Sequence, residues 1–243
     1  MSQIEFSQFE NYKQTTENLE ERLLYGCYPE VTHYESWKEK QEYLREIVNS
    51  YLLKDILIFD GIKNADKIYD LLRLIAFQVG KEVSLQELGN QLNLSKNTVE
   101  KYLDLLSKVF VIFKIEGFSR NLRKEITKSS RWYFYDNGIR NAILNNFNTL
   151  NNRTDIGDLW ENYLASERIK KQHYQKMVKQ NYFWRTYDQQ ELDWLETEAE
   201  TMEGYEFKWN ENRKSKIPTA FAKAYPEAIF TVINKQNYLD FIT

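Results

Sequence analysis

The stretch Gln190-Glu191-Leu192-Asp193-Trp194-Leu195, followed after a polar gap by Gly204-Tyr205-Glu206-Phe207-Lys208-Trp209, decides the fold of the C-terminal part of this chain. Both runs alternate as strands do, and the gap between them is rich in charged residues, so the simplest geometry is a β-hairpin. Residues two apart on a strand share a face and lie about 6–7 Å from one another. Glu206 and Lys208 therefore share a face, and Asp193 reaches it from the neighbouring strand. Two carboxylates and a lysine at one spot form a set that can hold Mg²⁺ and activate a water against a phosphodiester.

Outward from this hairpin, a helix is predicted over 158–173, and strands near 182–185, 191–195 and 205–209. A helix follows Pro218 and a strand covers 228–233. The order α-β-β-β-α-β implies a mixed sheet with helices packed on it, an α/β (α+β) fold. The asparagine-rich stretch 145–152 is the best domain boundary.

The N-terminal part reads differently. A helical stretch to Leu24 is broken by Tyr25-Gly26-Cys27-Tyr28-Pro29-Glu30. A second helix is predicted over 36–53, with Trp37, Leu44, Ile47, Val48 and Tyr51 on its apolar face. A third carries Ile68, Leu71, Leu72, Ile75 and Phe77 and ends at Gly80, a C-terminal cap. Ser84 and Glu87 then make a capping-box pattern, and Ser95 caps a further helix. Leu85, Leu88, Leu92, Val99, Leu103 and Leu106 face inward at helical spacing, as in a helix-turn-helix. Strands at 109–113 and 132–134 follow, joined by a turn holding Arg120, Arg123, Lys124, Lys128 and Arg131. A helix-turn-helix followed by a hairpin is a winged-helix pattern. The chain thus divides into a helical segment over 1–63, a winged-helix domain over 64–150 and an α/β domain over 151–243.

Composition narrows the function classes. Among 243 residues, 42% are apolar and 15% aromatic, enough for a substantial core. The formal net charge of −3 excludes a uniformly basic nucleic-acid coat, so any such contact needs a local basic patch. One cysteine, Cys27, permits no internal disulfide, and with His33 and His173 it makes a poor set for structural zinc. No apolar run has transmembrane length and the first residues show no apolar signal region, so a cytoplasmic protein without a membrane partner is expected.

The acid followed by Glu-x-Lys on an α-β-β-β-α-β core resembles the PD-(D/E)XK, or restriction-endonuclease-like, superfamily. The whole chain resembles the C-terminal portion of a family of prokaryotic AAA+-type ATPases whose C-terminal domain is of unknown function. Residues 25–31, 88–103, 132–138, 159–163 and 184–208 carry this likeness, through their order and spacing. The resemblance implies that Asp193, Glu206 and the Phe207 carbonyl ligate Mg²⁺ and that Lys208 orients or deprotonates the attacking water. It implies that Glu161, from the first helix of the fold, holds a second metal or an outer-shell water. One departure is large: there is no glycine-rich run ending in Gly-Lys-Ser/Thr, so no ATP site of that kind is expected here. The chain is then either the C-terminal part of a longer protein or a form without the motor, and an ATPase module in cis or another protein is an expected partner.

Each motif has a plainer reading beside the functional one. Asp193, Glu206 and Lys208 can be a metal site or an ion-pair network that only holds the sheet. Lys96, Asn97, Thr98 and Lys101 can face a DNA groove with the basic wing on phosphates, or the winged helix can be a packing adaptor. Glu100 and Asp104 on the same helix weigh toward the adaptor. Arg185 can meet a phosphate near the metal or pair with an acid such as Glu191. Cys27 reads as a small core residue and His173 as a solvated helix end. The leading expectation is a nucleic-acid-associated module with a Mg²⁺-dependent nuclease-like site. Its rivals are a catalytically idle interaction module of an AAA+-type ATPase and a DNA-binding adaptor.

Overall fold

A computed structural model describes residues 1–52, 65–119, 129–213 and 215–243. The predicted end of the second helix at Leu53 lies outside the described residues, as do Arg120, Arg123, Lys124 and Lys128.

Three short helices open the chain: α1 (Gln3–Phe6), α2 (Tyr12–Glu17) and α3 (Leu19–Tyr25). Ser2 and Asn11 start the first two with full capping boxes, which explains why such short helices begin where they do. Helix α4 (Trp37–Glu46) continues into a π-helical turn over Ile47–Leu52. Trp37, expected on its apolar face, is 64% exposed; at the first helical position it lies beyond the edge of the core that Leu44 and Val48 enter.

Helix α5 (Ala65–Phe77) and strand β1 (Glu82–Val83) lead to the helix-turn-helix, α6 (Leu85–Leu92) and α7 (Lys96–Lys108). Ser84 accepts from the Glu87 N–H, which is the cap half of the predicted capping box, and Ser95 accepts from the Thr98 N–H. Asn93 supplies the left-handed turn residue between them at φ 54°. The wing strands are β2 (Ile112–Gly117) and β3 (Ser130–Phe134). Strand β2 begins later than the predicted 109–113, because Phe110 adopts φ 58° and breaks extension there.

Helix α8 (Asn137–Leu144) is capped by Asp136, and the long α9 (Ile156–Tyr174) follows. Strands β4 (Gln180–Arg185), β5 (Glu191–Glu198) and β6 (Thr201–Phe207), helix α10 (Thr219–Ala224), strand β7 (Ile229–Ile233) and helix α11 (Tyr238–Ile242) complete the chain. The predicted α-β-β-β-α-β order is present, and the fold is mixed α/β. Among the described residues, seven strands join one sheet in the order β1-β3-β2-β4-β5-β6-β7. The wing meets the C-terminal strands through parallel pairing of β2 with β4, and β6 pairs β7 in parallel.

Segments distant in sequence lock together beneath this sheet. Asp136 accepts from the Cys27 N–H at 2.6 Å. The Asn137 amide donates to the Leu159 carbonyl at 3.0 Å and the Asn162 amide to Asn137 Oδ1 at 2.7 Å. Such a polar cluster is stable when buried only because each donor has an acceptor. Here the 25–31, 132–138 and 159–163 segments become one structural unit. Cys27 is buried, and its thiol is pushed up to about 12 by desolvation, which makes it inert.

Strand β5 departs from simple alternation. Tyr182 pairs with Leu195 but Trp184 pairs with Leu192, so Asp193 and Trp194 together lie opposite Phe183. This bulge lets Leu192 and Leu195 both enter the smaller apolar cluster with Trp184 and Phe221, while Trp194 joins the main core. A bulge is a means of re-aiming a side chain. It removes Asp193 from the phase that strict alternation would assign.

Candidate functional site

At the bulge, the Asp193 carboxylate replaces a rung of the β5–β6 ladder: its Oδ2 accepts from the Phe207 N–H at 2.7 Å. Glu206 and Lys208, two apart on one strand phase, form an ion pair at 2.5 Å. Tyr205 and Phe207 take the other phase and pack on Phe241, so the aromatic residues of β6 do not cover the charged ones. Trp194 is fully buried and donates to Glu196, away from Asp193. Trp209 packs edge-on against Trp160.

Glu161 arrives from α9. Tyr133 of β3 donates to its Oε1 at 2.7 Å. Gly80 forms the wall beside it: a Cβ there would stand 2.6 Å from Glu161 Oε1, and its φ of 73° already disfavours a side chain. The helix expected to end at Gly80 ends at Phe77; Gly80 instead donates its N–H to the Trp132 carbonyl and leaves the space that admits the carboxylate.

Arg131 of β3 completes the group. Its guanidinium contacts Glu191 at 2.7 Å and lies 3.8 Å from Glu161 and 4.0 Å from Asp193. It stacks over the Phe183 ring at 4.5 Å, and its Nε is buried with no hydrogen-bond partner. Arg131, expected in the basic wing turn, lies on β3, where it shares a face with the inward Tyr133.

The electrostatics follow from this arrangement. Burial and the neighbouring Asp193 carboxylate push Glu161 up to about 8, against the opposing pull of Arg131 and Tyr133. Burial and the Glu206 carboxylate push Asp193 up to about 6, against the Phe207 N–H, Arg131 and Lys208. Four carboxylates (Glu161, Glu191, Asp193 and Glu206) face two cations, Arg131 and Lys208. Like charges in a desolvated place disfavour ionisation of one another.

The donors suit a hard divalent ion by type, since all are carboxylate oxygens. Among the described residues, however, no three His, Cys, Asp or Glu side chains are gathered so that they could hold a metal ion. The cations of the chain itself stand among the acids: Lys208 on Glu206, and Arg131 beside Glu161 and Asp193.

Other predicted residues lie elsewhere. Arg185 pairs with Glu82 of β1 and with Gln189, while Glu191, its expected partner, is taken by Arg131. Lys96, Asn97 and Lys101 line a cavity of about 1360 Å³ between α7 and the wing strands. The same cavity exposes Glu87, Glu100, Asp104 and Glu116, so its field is mixed rather than basic. Thr98 is engaged with Ser95, Oγ to Oγ1 at 2.8 Å. None of the described helices is long and apolar enough to cross a membrane.

The fold is mixed α/β. The chain belongs to the family described as a domain of unknown function (DUF8612), whose model matches residues 16–150, more than half of its length. A second model, domain of unknown function (DUF4143), matches residues 156–240. An uncharacterized protein of Haemophilus influenzae is 27% identical over 121 residues, 48% of this chain and 30% of the relative. One from Methanocaldococcus jannaschii is 26% identical over 106 residues, 42% of this chain and 24% of the relative. One from Mycobacterium tuberculosis is 25% identical over 124 residues, 49% of this chain and 27% of the relative. The matched stretch therefore spans less than a third of each of these relatives. No solved structure shows a significant match.

Proposed function

We propose that this chain is a nucleic-acid-associated module with a Mg²⁺-dependent, nuclease-like site, working with an AAA+-type ATPase module in cis or in trans. The observation that carries this reading is the charge deficit around Glu161 and Asp193. Both carboxyls are held well above their ordinary range although an arginine and a lysine stand nearby. A set of acids that merely tied the sheet together would be balanced by its own cations. An unbalanced one is completed by a proton or by an external cation.

Asp193, Glu206 and Glu161 would be the ligands, with the Phe207 carbonyl beside them. When bound, the ion would polarise a phosphodiester oxygen and lower the pKa of an attacking water. Lys208, paired with Glu206, would orient that water and offset phosphate charge. Glu161 holds a proton at neutrality and must release it to become a ligand. Divalent-ion affinity should therefore rise as pH increases from about 6 to about 8.5.

Calorimetric titration with Mn²⁺ tests the site: wild type should bind, and Asp193→Ala and Glu206→Ala should not. Cleavage assays on single- and double-stranded DNA and RNA then test turnover, with Lys208→Ala as the control. Equal, negligible Mn²⁺ binding by all three chains ends the nuclease reading.

A second reading, a catalytically idle interaction module of the same kind of ATPase, is favoured by Arg131 standing among the acids. It predicts no Mn²⁺ binding and no cleavage. A DNA-binding adaptor instead requires affinity that falls steeply with salt and weakens in Lys96→Ala and Lys101→Ala.

A further inference from the structure

We propose that the outer edge of β7 is the contact surface for a second copy of this chain, which pairs with it antiparallel about a two-fold axis at Thr231. The proposal stands apart from the metal-site reading and does not need it.

The two edges of the sheet differ. At one edge β1 is two residues long, and its Glu82 is paired with Arg185. Short length and charge protect an edge against pairing with another chain. At the other edge β7 pairs, among the described strands, with β6 alone. The run Ala228-Ile229-Phe230-Thr231-Val232-Ile233 contains no charge, proline or glycine. Its register with β6 is continuous and none of its residues has a positive φ, so no bulge turns the edge away. Ile229, at its start, is 62% exposed. Such an edge is a template for a further strand.

The residues also say which strand fits. The Lys208 N–H donates to the Ile233 carbonyl, so Ile229, Thr231 and Ile233 turn their backbone groups toward β6. Phe230 and Val232 turn theirs outward, and the Val232 carbonyl accepts from the Asn237 side chain at 2.9 Å. A carbonyl has two lone pairs, so this bond leaves room for another. With the axis at Thr231, Phe230 and Val232 of the second copy exchange both N–H and C=O bonds, and the symmetric pair does the same. Thr231 then faces itself, and Ile229 faces Ile233 of the second copy. Each opposed pair within the strand is apolar or Thr–Thr, the kinds that stabilise a ladder. Just beyond the strand, the same register brings Glu227 toward Lys235 of the second copy, and Lys235 toward its Glu227. Lys235 lies over the Trp209 ring at 4.6 Å and 3.8 Å from Glu211, with donors left for a second acid. An in-register parallel copy would instead set Glu227 beside Glu227 and Lys235 beside Lys235. The antiparallel axis stands perpendicular to the sheet, so Glu206 of both copies, one strand in from the seam, lies on the same face of the joined sheet.

Sedimentation velocity on the full chain, over a wide range of concentration, tests the pairing. Wild type should show a concentration-dependent equilibrium between monomer and dimer. Thr231→Lys sets two like charges together at the axis and should raise the dimer Kd at least about tenfold. Glu227→Lys and Lys235→Glu should each raise it about threefold, and the double variant should restore the wild-type value. Thr231→Cys, a change of little volume, should form a covalent dimer under mild oxidation, since opposed residues at a non-hydrogen-bonded position have Cα atoms about 4.5 Å apart. Wild type, whose Cys27 is buried, should not cross-link. A wild type that stays monomeric at every concentration overturns the proposal. So does a dimer that Thr231→Lys leaves intact or that Thr231→Cys fails to lock. If Thr231→Lys does not fold, the charge exchange decides: a double variant no tighter than the single ones sinks the antiparallel pairing.

Discussion

Strand β5 carries two groups of buried charge, three residues apart, and they are opposites. Around Glu196 the carboxylate is fully supplied with donors. Arg168 closes bidentately on it at 2.6 and 2.6 Å, Lys179 adds a contact at 3.0 Å, and the Trp194 and Gln172 side chains donate to the same carboxylate. The remaining Arg168 nitrogen donates to the Phe241 carbonyl. Glu196 is accordingly held below the usual carboxylate range, its burial outweighed by Arg168 and Lys179. Around Asp193 the cations are outnumbered, and both Asp193 and Glu161 are held above that range. Burial alone does not separate a structural charge from a candidate functional one: the Glu196 side chain is 1% exposed, and those of Asp193 and Glu161 are 13% and 18% exposed. The balance of partners does.

The comparison can be broken experimentally, and the largest effect is expected at the balanced group. Arg168→Met leaves Glu196 buried without its bidentate partner and should cost about 3–5 kcal/mol in denaturant unfolding. A loss below about 1 kcal/mol would show that the Glu196 network is incidental.

At the unbalanced group the sign reverses. The folded chain holds the Glu161 proton up to about pH 8, whereas an unfolded glutamate titrates near about 4.3. The stabilisation from this group is fully present below the unfolded value and is lost as pH rises through about 8. Glu161→Gln should therefore be more stable than wild type at pH 8.5, by about 2 kcal/mol, with a flatter dependence on pH. Thermal unfolding across pH 5 to 9 reads this out, and parallel curves for the two chains contradict the deficit.

Gly80→Ala should destabilise by about 1–2 kcal/mol through its positive φ alone, and further through contact with Glu161. Combining it with Glu161→Ala should recover the contact part and leave the backbone part, so the double variant measures how tightly Gly80 and Glu161 are coupled. The smallest effect is expected from Glu191→Gln. Its pair with Arg131 is half-open to solvent, and the change in stability should stay under about 1 kcal/mol. A larger loss would make the pair a structural one.

What could be read from the chain before folding is what local chemistry encodes. The helix-turn-helix was legible because Ser84 and Ser95 act on backbone groups within three residues of themselves. The inward leucines between them repeat at helical period for the same local reason. The hairpin and the placement of Asp193, Glu206 and Lys208 on it were legible because alternation and a polar turn are short-range signals. Glu161 was named through the family likeness and not through any spacing. The partners of these residues were not legible. Arg131 meets Glu191 across 60 positions, Tyr133 meets Glu161 across 28, and Arg185 meets Glu82 across 103.

The sequence by itself determined the α-β-β-β-α-β order of the C-terminal part, the two helix caps of the winged helix and the presence of acid, Glu-x-Lys on neighbouring strands. Only the tertiary structure decided that Asp193 turns into the sheet at a bulge, that Gly80 makes room for Glu161, and that Arg131 stands among the acids. Caps and periodicity act over one helical turn or one strand, so the chain carries them openly. Electrostatic balance is a sum over everything within a few ångströms in space, and no stretch of sequence contains that sum.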